Sequence, residues 1–476
     1  MMPTRIMRVA LLSIVAGSLV ATAACVDEQV VFRDRELFED PLDAAGSFLG
    51  YSDSDDKLTV CGNCHIGTQQ DWVETAHASA WDGLQDSGHA QGFCEGCHTV
   101  GELGNVTTGT MGHAATGEAR YEDVQCEACH GPGLAHVEDP NDATVPSAPM
   151  DVGLDLTSGC AECHQGAHHP FADEWSESGH GQFNSYPAGR ADCSSCHTGE
   201  GALEMFGVNT TYLEQDDVAE DGEHLSITCA VCHDPHGSDN PAQLRFATNV
   251  PNEDQNLCMM CHNKRGTPDP TTFRGPHAPE GPTLLGVAGW WPSDMSFPGG
   301  RLVGTHGTPE ANPGLCASCH VQSFEIVDQD TEELVFQSTG HSFEATPCVD
   351  ADGIPTGADG CQPEERSYQG CTASGCHGSA DVARNLQINA ENRIAGDADD
   401  LESLIAQIPE SEFDETDDRY TVGEGAQFNL ELARSPGAAV HNPFLIEALL
   451  QATIDEVESR YGLGAPARSS EVRGSR

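Results

Sequence analysis

Cys61-Gly62-Asn63-Cys64-His65 is the first of eight Cys-x-x-Cys-His pentapeptides in this chain, and their reading decides the fold. The others are Cys94-Cys97-His98, Cys126-Cys129-His130, Cys160-Cys163-His164, Cys193-Cys196-His197, Cys229-Cys232-His233, Cys258-Cys261-His262 and Cys316-Cys319-His320. A ninth, Cys371-Thr372-Ala373-Ser374-Gly375-Cys376-His377, has two extra residues between its cysteines. Two thiols about one turn apart can add to the two vinyl groups of a haem, and the histidine that follows is then held under the iron as its proximal ligand. A single copy could equally be a redox dithiol or half of a zinc site. Eight copies with the histidine always in the same place leave those readings little room. Eight covalently attached haem c groups are expected, and nine if the long motif is occupied.

The composition agrees. Leu, Ile, Val and Phe make up under a fifth of the 476 residues, and the formal net charge is −55. Such figures, with 51 glycines and 27 prolines, ordinarily mean disorder. Covalently held macrocycles would supply the missing apolar core, so the apo-chain is expected to be largely unfolded, as zinc fingers are without metal. With 76 acidic against 21 basic residues, nucleic acid and anionic membrane surfaces are excluded as partners. Basic redox proteins suit the charge, and so does solubility in a saline habitat. The nine motifs use 18 of 21 cysteines and leave Cys25, Cys348 and Cys361. Thioether attachment implies an exported protein, periplasmic or at the outer membrane or cell surface.

Residues 1–24 read as a secretory signal, with Arg5 and Arg8, an apolar run from Val9 to Val20, and Ala21-Thr22-Ala23-Ala24 as its exit. Cys25 follows as in lipoproteins; a lipid there is the one membrane attachment the chain suggests, the alternative being cleavage after Ala23 or Ala24. Residues 25–60 read as an acidic arm or linker, and 61–378 as the haem region. Successive first cysteines are separated by 33, 32, 34, 33, 36 and 29 residues, then by 58 and 55. The stretches between motifs are not self-similar enough to suggest a solenoid. Apolar spacing predicts a helix from Gln69 to Trp81 carrying His77. Residues 263–315, with Trp290-Trp291, read as loop packed on haem edges. Glu325-Ile326-Val327 and Leu334-Val335-Phe336 form the one convincing hairpin signal. Cys348 and Cys361 bracket an Asp/Gly loop and are expected to form a disulfide. Residues 379–463 read as a helical segment: a helix capped by Ser379 and ended by Gly396, a short one stopping at Pro409, an acidic loop, and a long helix from Asn442-Pro443. Residues 464–476 are expected to be a disordered tail.

Thirteen histidines lie outside the motifs. Nine irons need at most nine sixth ligands, so bis-histidine coordination throughout is affordable, and it suits a carrier because no iron position stays vacant. His136 and His236 follow His130 and His233 too closely to reach the far face of the same haem, and read as ligands to a neighbour. The leading distal candidates are His77, His136, His180, His236, His277, His306 and His341, with His168 or, preferably, His169 as an eighth. His89, His224 and His441 rank lower and His113 last.

Trp72…Ala76-His77-Ala78, Cys126-Glu127-Ala128-Cys129-His130-Gly131-Pro132-Gly133…His136, Glu174-Trp175-Ser176-Glu177-Ser178-Gly179-His180, Cys229…His233-Asp234-Pro235-His236 and His441-Asn442-Pro443 together resemble the multihaem cytochrome superfamily that includes pentahaem nitrite reductase, hydroxylamine oxidoreductase, octahaem tetrathionate reductase and small tetrahaem carriers. The resemblance implies distal-ligand roles for His77, His136, His180 and His236. It also implies a mainly α fold with extensive loops and little β, elongated and organised around its haems. No Cys-x-x-Cys-Lys motif, the active haem site of the nitrite reductases, is present, and no Tyr-rich or Arg/His cluster marks a substrate pocket. The leading expectation is therefore an electron carrier, a non-enzyme with donor and acceptor proteins. A reductase with one open haem acting on a nitrogen or sulfur oxyanion is the alternative, and a subunit of a homo-oligomeric extracellular filament the third reading.

Overall fold

The structure is a computed structural model of the chain, and it describes residues 47–463 except 142–143, 209–223, 271–272, 329–330, 332–333, 359, 373–375 and 414–419. The export signal, Cys25 and the tail from 464 lie outside the described residues. Short helices and turns predominate, with two antiparallel hairpins, Phe324–Val327 with Leu334–Ser338 and Tyr51–Asp53 with Leu58–Thr59. The first was expected. The second was not, because its strands sit inside the acidic stretch read as linker and are too short to show alternation.

That N-terminal hairpin is fastened by buried polar groups. The Glu127 carboxylate, inside motif 3, accepts from the backbone N–H groups of Leu49, Gly50 and Gly133. Asp123 is fully buried and accepts from Tyr51 Oη, Lys57 Nζ and the Trp81 N–H. Gly50 has φ of +68°, and a Cβ there would meet the Arg120 carbonyl at 2.3 Å, so glycine is required at this crossing.

The helix expected over 69–81 is broken. Ile66–Trp72 is helical, His77–Ser79 is a 3-10 turn and a second helix runs Ala80–Asp86. Thr75 Oγ1 donates to the Trp72 carbonyl at 2.7 Å and ends the first helix, which frees the indole of Trp72 to donate to Val124 O at 3.1 Å. The same arrangement returns at Trp175: Ser178 Oγ donates to Trp175 O, and Trp175 Nε1 donates to Ile227 O. Val124 N donates to His77 O, and Ile227 N donates to His180 O. Thr99 and Thr198, each directly after a motif histidine, back-bond to Glu95 O and Ser194 O. Motifs 1–3 and motifs 4–6 are thus two copies of one three-motif unit. The repeat escaped sequence comparison because it is kept in backbone contacts and in a few side chains around the motifs, not in the residues between them.

The C-terminal segment has an apolar core of its own. A single helix, Ala380–Ile405, runs through Gly396, whose Cα faces open space, because Ile394, Ala398, Leu401 and Leu404 continue one buried stripe. That burial outweighs the roughly 1 kcal/mol that a mid-helix glycine costs. A helix absent from the sequence reading, Val422–Ala433, begins with a Thr421–Glu424 capping box. Pro443–Tyr461 starts at Asn442, whose side-chain oxygen caps Leu445 N, and ends at Gly462. Leu430, Leu445, Ile446, Leu449, Leu450 and Val457 complete the core. Trp290 and Trp291 dock on this core: Asn429 bonds both the N–H and the carbonyl of Trp290, while Trp291 packs on the core. The described clusters within 47–315 are far smaller, three or four buried residues each. Cys348 and Cys361 form the expected disulfide. No helix of the described residues is long and apolar enough to cross a membrane.

Candidate haem-binding sites

Each of the eight standard motifs is a short helical or hydrogen-bonded turn. The histidine N–H bonds the carbonyl of the first cysteine four residues back in motifs 1, 4, 6, 7 and 8, so both sulfurs and the imidazole project from one side. The ring is then steered from behind. Nδ1 of His98, His130, His233 and His320 meets the carbonyls of Ala80, Pro146, Ala242 and Phe343 at 2.6–2.8 Å, and His262 Nδ1 meets Glu280. Such contacts fix the tautomer and leave Nε2 for a metal.

Opposite eight of the nine motif histidines stands a second imidazole from elsewhere in the chain. Ring centroids are 6.5 Å apart for His65–His136, 6.2 Å for His130–His236, 6.2 Å for His164–His77 and 6.1 Å for His197–His277. They are 6.3 Å apart for His233–His341, 6.2 Å for His262–His180, 6.2 Å for His320–His441 and 6.1 Å for His377–His306. A metal–imidazole bond is about 2 Å long and a ring centroid lies about 1.1 Å behind its nitrogen, so two histidines on opposite faces of one iron hold their centroids roughly 6.3 Å apart. The residues therefore fit haem. They do not fit zinc: among the described residues no three His, Cys, Asp or Glu converge on a point. Burial holds many of these rings neutral, the form that ligates. His164, His180 and His441 are each pushed down to about 4, and His77, His236 and His341 are lowered in the same way.

His98 is the exception, with no ring opposite it among the described residues. His169 stands 6.1 Å from His164, which already faces His77; burial and the charges of His98 and His168 lower it. His441, ranked low from sequence, faces His320; the Asn-Pro helix start beside it was the available signal. His113 is buried against Trp81 at 4.9 Å, His224 bonds Glu200 at 2.6 Å and His89 is exposed.

The cysteines link one motif to another. Free thiols here stand in for thioether sulfurs, and Cys61 lies beside Cys126, Cys97 beside Cys163, Cys160 beside Cys229, Cys196 beside Cys261 and Cys258 beside Cys316, close enough for each sulfur to act on the other. Burial pushes Cys129, Cys232 and Cys319 up to about 12, 12 and 11, with Cys160, Cys258 and the Cys371/Cys376 pair as their respective neighbours.

Known proteins fall on the same elements. Residues 60–131, the first three-motif unit, match the family "Cytochrome c554 and c-prime", and residues 218–267, spanning motifs 6 and 7, match the "Doubled CXXCH motif" family. The chain is a multihaem c-type cytochrome. The multihaem cytochrome MtrA of Shewanella baltica (strain OS185) is 26% identical to it over 233 residues, 40% of this chain and 63% of that protein. Cytochrome c-554 of Nitrosomonas europaea (strain ATCC 19718) is 31% identical over 91 residues, 15% of this cytochrome and 36% of the relative. The cytochrome thus spans less than two thirds of the length of either. The crystal structure of outer cell wall cytochrome OcwA superposes with a TM-score of 0.46 at 18% identity, covering 76% of this cytochrome and 75% of that chain. Haem c is the cofactor.

Proposed function

We propose that this cytochrome relays single electrons through nine haems, each held between two histidines. The eight opposed imidazole pairs carry the reading, since an iron with both axial positions filled by the protein has none for a substrate. Bound haem supplies the one-electron couple. The chain's part is to saturate each iron, set the spacing and shield the sites. For His98 we assign His169, by analogy between the two three-motif units. In the second unit the partner of motif 5, His277, follows the first motif of the next unit. In the first unit the residue so placed for motif 2 is His169, and His77 remains for His164.

The neighbouring sulfurs support an order with motifs 1, 3, 4, 6, 7, 8 and 9 in line, motif 2 attached at 4 and motif 5 at 7. The Cys348–Cys361 disulfide supports an exported, oxidising location. Division into a leader (1–24), an arm (25–60), a haem region (61–378) and a helical segment (379–463), with donor and acceptor proteins and an anchor at Cys25, belongs to the same reading.

Intact-mass analysis of the holoprotein with low-temperature EPR is the test. Nine haems, all low-spin when oxidised, are expected. A persistent high-spin signal would mean an open iron, with motif 2 the place to look, and would favour a reductase over a relay.

A further inference from the structure

The cations of this acidic chain are unevenly placed. Some near motifs are neutralised: Lys57 pairs with Asp82 and Asp123, and Arg245 with Asp234 at 2.7 Å. Lys264, Arg265 and Arg274 are different. They line one cavity of about 630 Å³ together with Glu253 and Asp269, and no carboxylate pairs with any of the three among the described residues. Arg265 Nε donates to Gly275 O at 3.0 Å, and the other two make no described hydrogen bond.

Through its bond to Gly275, Arg265 stands two residues from His277, which faces His197 of motif 5. The charge of Lys264 acts on Cys196 and His277, and that of Arg265 on Cys193 and His277. A fourth cation, exposed Arg190, lies one turn before Cys193, whose N–H donates to the Arg190 carbonyl. Glu280, which follows His277 by three residues, is engaged by His262 at 3.3 Å. Cations thus gather beside the Cys193–Cys196–His197–His277 site, with Glu253 and Asp269 as the acids of the cavity, in a chain of formal charge −55. Reduction adds one negative charge, which nearby cations favour.

We propose that Lys264, Arg265 and Arg274 form an oxyanion-binding pocket that makes the haem of motif 5, a branch end of the string, its highest-potential member and the place where electrons collect. The inference rests on the relay reading. The pocket's oxyanion is either a carboxylate of that haem or a small anion from solution, since the same three cations would recognise both.

Spectroelectrochemical titration of the holoprotein, with and without added phosphate, tests this using Lys264→Gln combined with Arg274→Gln; both side chains are exposed, so folding is not at stake. One haem, the highest in potential, should fall by roughly tenfold in its reduced-to-oxidised ratio, about 59 mV for one electron. Arg274→Lys should restore part of the shift, and Arg434→Gln, in the C-terminal bundle, should move nothing. If phosphate lowers that midpoint in the parent protein but not in the variant, the anion comes from solution; if phosphate has no effect and the variant still shifts, it is the haem's own carboxylate. Unchanged midpoints in a variant with every haem present and low-spin overturn the inference alone. A parent protein without a low-spin haem at this site overturns the relay reading and the inference with it.

Discussion

His320 and His441 face each other with ring centroids 6.2 Å apart, although one closes the eighth motif and the other lies just before the last helix. The pairing ties the C-terminal bundle to the haem string. Asn442, the next residue, caps that helix and donates to the carbonyls of Thr283 and Leu302, so the position of His441 is set from both sides. Replacing it should therefore be local. His441→Ala is expected to convert one haem from low-spin to high-spin while the remaining haems and the bundle are retained, and EPR with far-UV circular dichroism checks both points.

Acid should release distal histidines in a defined window. His180 and His441 are held down to about 4 by burial, whereas an unfolded histidine titrates near 6.5. Between those values the unfolded chain binds more protons, so each ring's contribution is intact above about 6.5 and is lost as pH falls toward 4. The low-spin spectrum should be flat above that window and collapse below it. Loss that began well above pH 6.5 would contradict the assignment.

Glu127 makes a chemical prediction about the N-terminal hairpin. Its carboxylate receives three backbone N–H groups from two segments, and removing it leaves buried donors unmet. Glu127→Ala should cost about 3 kcal/mol, and Glu127→Gln less, in guanidinium unfolding of the holoprotein.

The duplication is tested by paired substitutions. Trp72→Phe and Trp175→Phe each remove an indole bond to a carbonyl, at Val124 and Ile227 respectively. Both should destabilise by about 1–2 kcal/mol. Both should also perturb the haem served by the histidine five residues on, His164 through His77 and His262 through His180. Resonance Raman or EPR of the two variants should show matching changes at different haems.

Attachment of haem was legible in the sequence because it is local chemistry: two thiols and a histidine within five residues meet one macrocycle whatever surrounds them. Several of the histidines that stand opposite a motif histidine could be picked out too, since a histidine after a Trp or beside a motif has few other uses in so haem-dense a chain. The hairpin at 324–338, the disulfide and the last helix could be read for the same reason, as each depends on neighbours in sequence. Which imidazole opposes which could not. His180 meets His262, His341 meets His233 and His441 meets His320 only after the chain has folded, and a histidine's own neighbours say nothing about its partner. The three-motif repeat, the unbroken Ala380–Ile405 helix, the docking of Trp290 on Asn429 and the gathering of Lys264, Arg265 and Arg274 beside motif 5 belong to the same class. Each is settled by burial and contact between distant segments, where tertiary packing outweighs local preference.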